Sequence, residues 1–205
     1  MNLKTRIVAT GTAVALVLTV AACSGSTDET TTPAAETSSA ASESTGAVDA
    51  ARNAADTEFA QMMIVHHEGA VEMADLAVEQ AQSEEVRTLA GNISAAQGPE
   101  IEEMTSWLQG WGEETSPAMG GMDHGSTDMD GLDQAGAMDE LASLSGTEFD
   151  RRFLELMVAH HEGAVAMAEI ELTDGENPQA LELAQTIIDA QRVEIAEMEQ
   201  MLEAL

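Results

Sequence analysis

The stretch Met63-Ile64-Val65-His66-His67-Glu68-Gly69-Ala70 returns 94 residues later as Met157-Val158-Ala159-His160-His161-Glu162-Gly163-Ala164. Four of the chain's five histidines stand in these two doublets, each with a methionine one helical turn before it. Imidazole nitrogen suits copper in either oxidation state and thioether sulfur is soft enough for Cu(I), whereas Mg and Ca demand oxygen cages that these segments lack. Residues three and four apart share a helix face, so Met63 with His66 and His67, and Met157 with His160 and His161, can aim sulfur and nitrogen at one ion. Copper, as Cu(I), is the metal this chemistry favours. The single cysteine, Cys23, rules out disulfides within the chain and a thiolate site, leaving Met and His as the soft ligands of an exported protein.

The elements that must hold these residues are also repeated. The same offset carries Phe59 onto Phe153, Met73 onto Met167, Gln97 onto Gln191 and Leu108 onto Leu202, with 20 of 50 aligned positions identical and no gap. That density of identity marks an internal repeat, 59–108 and 153–202, whose copies must share one fold. Apolar residues recur at three and four, the helical period, and nowhere alternate as in a strand. Each copy reads as two helices, with turns near residues 80–84 and 173–177, where Ser83 and Asn177 (the latter followed by Pro178) are good N-caps. Pro99 predicts a bend in the second helix of the first copy. Two hairpins can enclose a core where one cannot, so the predicted fold is all-α, a four-helix bundle with approximate two-fold symmetry.

At about 100° per residue, Phe59, Met62, Met63, Ala70, Met73, Ala74 and Ala77 cluster around His66, with His67 at the edge of the stripe. This face is predicted to be buried, bringing His66 and His160 into the interior with Met63, Met73, Met157 and Met167 nearby. Buried imidazoles need partners. Gln97 and Gln191 are central on the second helices, flanked by Met104 and Met198, with Glu100 and Glu194 beside them. Hydrogen bonds from the two glutamines would fix the histidine tautomers, and around a metal these residues would form the supporting layer.

The segment 110–145 between the copies is rich in Gly, Met and Asp and reads as a long loop with a short helix near its end. Met119, Met122, His124 and Met129 within it suggest a second, weaker copper site. At the start, Lys4 and Arg6 precede an apolar run that closes in Val20-Ala21-Ala22-Cys23, which predicts a lipoprotein leader (1–22) with Cys23 lipidated. Residues 23–50, mostly Ser, Thr, Ala and Glu, read as a disordered tether, and 51–205 as the bundle domain. The expected location is the bacterial cell envelope, on the outer side of a membrane reached through the lipid alone. With 7 basic and 38 acidic residues the formal charge is −31, which excludes nucleic acid as a partner.

The repeated pattern of Met, a two-residue gap, a His pair, Gly-Ala, Met-Ala, then Gln, Glu-Ile and Met on a second helix resembles the bacterial domain-of-unknown-function family 305. That resemblance covers both repeats and implies a ferritin-like four-helix bundle and, as in some exported members, copper binding and copper resistance. Carried over by position, it implies metal roles for Met63, His66, His67, Met73, Met157, His160, His161 and Met167. Glu68 and Glu162 depart from the family's Gln after the His pair.

Three functions compete. The first is a copper buffer, chaperone or tolerance factor, not an enzyme, that passes the ion to an envelope acceptor protein. The second is a ferritin-like di-metal oxidoreductase, which requires inward carboxylates and Glu-x-x-His motifs that are absent here. The third is a metal-free interaction module with a polar His/Gln core layer.

Overall fold

The structure, a computed structural model, describes residues 48–117, 129 and 131–205. The predicted leader, Cys23, nearly all of the tether and the loop residues Met119, Met122 and His124 lie outside the described residues. Five helices are present among the described residues: α1 (Ala54–Gln80), α2 (Glu84–Trp111), α3 (Gln134–Ser143), α4 (Gly146–Asp174) and α5 (Pro178–Ala204). α1 packs against α2, α4 against α5, and α1 against α4, while the short α3 rests on α1 and α4. This is the all-α bundle of two hairpins that the repeat demands.

Local chemistry sets the helix ends. Asn53 and Asp56 close a reciprocal capping box at the start of α1, while the Ser83 and Asn177 side chains accept from the first free amides of α2 and α5. α2 ends at Gly112, whose φ of 76° is the left-handed conformation that favours glycine. Pro99 lies within α2, which runs through it unbroken.

The core is in two parts. One apolar cluster joins the second half of α1, the first half of α2, the first half of α4 and Met198 of α5, with Ala137 and Leu141 of α3. The other joins Phe59, Ala60, Met63 and Ile64 of α1 with Met104, Trp107 and Leu108 of α2, Ala164 and Ala168 of α4, and the first half of α5. On all four long helices the residues between these clusters are polar and buried: His66 and His67, Gln97, His160 and His161, and Gln191. The repeat thus builds a polar layer across the middle of the bundle.

A second symmetric device locks the hairpins together. Asp56 of the first hairpin accepts from the Glu176 and Asn177 amides in the turn of the second, at 3.0 and 2.8 Å. Asp150 of the second accepts from the Gln82 and Ser83 amides in the turn of the first, both at 2.8 Å. Each carboxylate satisfies free N–H groups at a helix start, where the helix dipole also favours negative charge. Asp56 is held below the ordinary carboxylate range: burial opposes ionisation, but the Asn53, Asn177 and Glu176 amides and the Glu171 side chain outweigh it.

Val48 packs against the second cluster, and the Asp49 carbonyl accepts from Trp111 Nε1 at 2.9 Å, so the described chain is fastened to the bundle from its first residues. Beyond the loop, Met129 pairs with Leu132 through two backbone hydrogen bonds and is 1% exposed within the first cluster. Met129 is therefore core, not part of an open loop site as its surroundings in sequence suggested, because Leu132 and α3 carry it against the bundle.

Candidate functional site

The helical period places His66 and His160 on the buried faces of α1 and α4, and the packing of α1 on α4 brings the two rings together. His66 Nδ1 lies 2.7 Å from His160 Nε2, with ring centroids 3.7 Å apart. One nitrogen donates and the other accepts, so the accepting ring at least must be neutral. Burial drives this: it pushes His66 down to about 3, helped by His67 and His161, and holds His160 well below the ordinary imidazole range, helped most by His66.

His67 and His161, at the edge of the predicted stripe, are fully buried. His67 Nε2 bonds the Glu100 carboxylate at 2.7 Å and His161 Nε2 bonds that of Glu194 at 2.8 Å. These are the same contact in the two repeats. The glutamates, not Gln97 and Gln191, fix the histidine tautomers: among the described residues neither polar atom of the Gln97 amide has a hydrogen-bond partner, nor does Gln191 Oε1. The glutamines lie one turn before the glutamates on the same helices, so helical spacing alone did not separate them.

A carboxylate that accepts the Nε2–H proton leaves the lone pair of Nδ1 turned away from it. Among the described residues, His67 Nδ1 and His161 Nδ1 are buried and without partners, and so is His66 Nε2. Unmatched buried nitrogens are costly unless something ligates them. Met63 and Met157, one turn before the doublets, are both fully buried, Met63 in one flanking cluster and Met157 in the other. Met73 is fully buried farther along α1, whereas Met167 is half-buried and lines a surface cleft with Met62 and Glu171. Met104 and Met198 are fully buried, one in each cluster. Among the described residues no three His, Cys, Asp or Glu side chains converge as a metal site would require. A site in this layer must draw on thioether sulfur as well as imidazole.

Glu100 also lines an open cleft of about 390 Å³ between α2 and α5 with Glu103 and Glu182. Glu103 is pushed above the ordinary carboxylate range by burial and by the charges of Glu100 and Glu182. Glu68 and Glu162, beside the doublets, are exposed. Gly69 has a different role. Gln134, the first residue of α3, lies so close over it that a Cβ would meet Gln134 Oε1 at 2.7 Å, and Gln134 Nε2 donates to the Gly69 carbonyl at 3.0 Å.

Fold and site together define a class: an all-α bundle of two repeated hairpins closed over a buried layer of histidines with carboxylate partners. The chain belongs to the family described as domain of unknown function 305 (DUF305), whose model matches residues 56–202. Solved structures agree. A candidate secreted DUF305 protein from Streptomyces coelicolor is 31% identical, with 73% of this chain and 93% of that one covered at a TM-score of 0.66. A DUF305 fragment from Deinococcus radiodurans is 32% identical over 75% of this chain and 98% of that one, also at 0.66. CopM in its Cu(II)-bound form is 38% identical over 73% of this chain and 96% of that one, at 0.62, and CopM has also been solved with Cu(I) and with silver. No curated protein matches the chain significantly.

Proposed function

We propose that this protein is a copper-binding protein of the bacterial envelope, a buffer or chaperone that holds Cu(I) in the layer between its two apolar clusters. The observation that carries the reading is the set of buried, unpartnered imidazole nitrogens in that layer. His66, His67, His160 and His161 are the nitrogen donors, and Met63 and Met157 the sulfur donors from either side. Met73 and Met167, six residues beyond each doublet and so about 9 Å farther along the helix axis, stand apart from that donor set. Glu100 and Glu194 orient the imidazoles, and Gln97, Gln191, Met104 and Met198 pack around them. Because burial keeps His66 and His160 neutral, protons do not compete for them at neutral pH. CopM, a related bundle solved with Cu(I), Cu(II) and silver, supports copper as the ion.

The leader and Cys23 would tether the bundle to the outer face of a membrane, within reach of an envelope protein that accepts the metal. Met119, Met122 and His124 would add a weaker site. X-ray absorption of the Cu(I)-loaded protein tests the assignment. Mixed nitrogen and sulfur coordination is expected, and sulfur alone would remove the histidine layer from the account. Iron or manganese held by carboxylates in the purified protein would instead revive the oxidoreductase reading.

A further inference from the structure

The two ends of the bundle, alike by repeat, differ in one respect. Between the start of α1 and the end of α4 lies a cleft of about 170 Å³, with Phe59, Met62, Met167, Ile170, Glu171 and Asp174 in its walls. At the other end the positions corresponding to Met62, Met167 and Glu171 are Leu156, Met73 and Ala77, all fully buried. Phe149, also fully buried, stands there where the cleft has Ala55. One end of the bundle is thus filled with apolar side chains, while the other is open and has a carboxyl in its wall.

That carboxyl is unusual. Glu171 is 1% exposed, and neither of its oxygens makes a hydrogen bond of normal geometry. Among the described residues no basic side chain lines the cleft to offset it. A buried carboxyl whose polar neighbour is another carboxyl, Asp56, and which has no counter-charge is the arrangement expected where a cation belongs. The two thioethers in the same walls select a soft one.

We propose that this cleft is a second, separate site for a soft monovalent cation, Cu(I) or Ag(I), held by the Met62 and Met167 sulfurs with Glu171 supplying the compensating negative charge. The site shares the soft-ion chemistry proposed for the histidine layer but none of its imidazoles. Ion uptake there needs no change in the His66–His160 pair.

Silver is the probe of choice, since it is redox-inert. Ag(I) is titrated into the full chain labelled with methyl-13C methionine, with Met62 and Met167 assigned through Met62→Leu and Met167→Leu. The methyl signals of Met62 and Met167 are expected to move together, over one equivalent beyond those taken up by the histidine layer. Glu171→Ala, which restores the residue of the other copy, is expected to weaken that event at least tenfold while imidazole nitrogen signals still respond to the ion. Unmoved Met62 and Met167 methyls, or a Met62→Leu protein that binds as many equivalents as the native chain, would overturn the proposal, leaving Glu171 a protonated partner of Asp56. Loss of the imidazole response alone would count against the histidine layer and leave the cleft standing.

Discussion

Acid should destabilise this bundle through its histidine pair, by an amount that follows from burial. In the unfolded chain His66 titrates near 6.5, while in the folded protein burial holds it down to about 3. Between those values the unfolded state binds a proton that the native state refuses. The stability contributed by the neutral ring is therefore complete above pH 6.5 and is lost as pH falls toward 3. At pH 4.5 the loss is about 2.7 kcal/mol from His66 alone, at about 1.36 kcal/mol per pH unit. His160 shifts in the same direction and adds to it. The perturbation is His66→Leu with His160→Leu, which removes both partners and leaves no orphan from their mutual bond. Urea denaturation followed by helical circular dichroism, from pH 8 to 4.5, gives both curves. The native protein should lose at least 2 kcal/mol more than the double variant over that range. Carboxyls such as Glu171 cancel in the comparison because both proteins carry them. Parallel curves would show that the pair titrates normally, and the buried neutral layer would have to be abandoned.

Other outcomes follow from single contacts. Asp150→Ala removes two hydrogen bonds from backbone amides that tie the second hairpin to the turn of the first, and should cost about 2–3 kcal/mol in urea denaturation without changing copper stoichiometry. Gly69→Ala should displace Gln134, so hydrogen exchange at α3 amides should quicken while global stability changes by less than about 1 kcal/mol, the gain in helix propensity offsetting the lost contact. Glu171 is pushed up to about 8 by burial and by the Asp56 and Asp174 carboxyls, against 4.5 in the unfolded chain. Its contribution is fully present below pH 4.5 and is lost as pH rises through 8, so Glu171→Ala should raise stability at pH 7.5, by on the order of 2 kcal/mol, and do little at pH 4.5.

Much of the fold was legible because it is written twice. The repeat required two like hairpins, the helical period placed the histidines inside, and Ser83 and Asn177 announced the second helices. Asp56 and Asp150 were not recognised as the locks between hairpins, although the same 94-residue offset relates them. They sit just before the repeat as it was bounded, and their partners are turn amides of the other copy, which no spacing within a helix reveals. The glutamates that orient His67 and His161 were seen only as neighbours of the glutamines, since one helical turn separates them and only packing decides which carboxylate or amide reaches a ring 33 residues away. Met129 looked like a loop ligand because composition carries no record of the Leu132 pairing that buries it. Glu171 drew no notice, standing where the other copy has Ala77, yet that difference between copies sets the two ends of the bundle apart.

If the four buried histidines hold the copper, removing them must remove tight binding. Competition titration with Cu(I) against a chelator of known affinity, on the native chain and on the variant with His66, His67, His160 and His161 changed to Ala, tests it most directly. Circular dichroism confirms the variant's helices before titration. Tight, stoichiometric copper is expected in the native protein and, in the variant, only the weaker equivalents of the loop and the cleft. A folded variant that keeps the native affinity and stoichiometry would contradict it, and the histidine layer would then be core architecture.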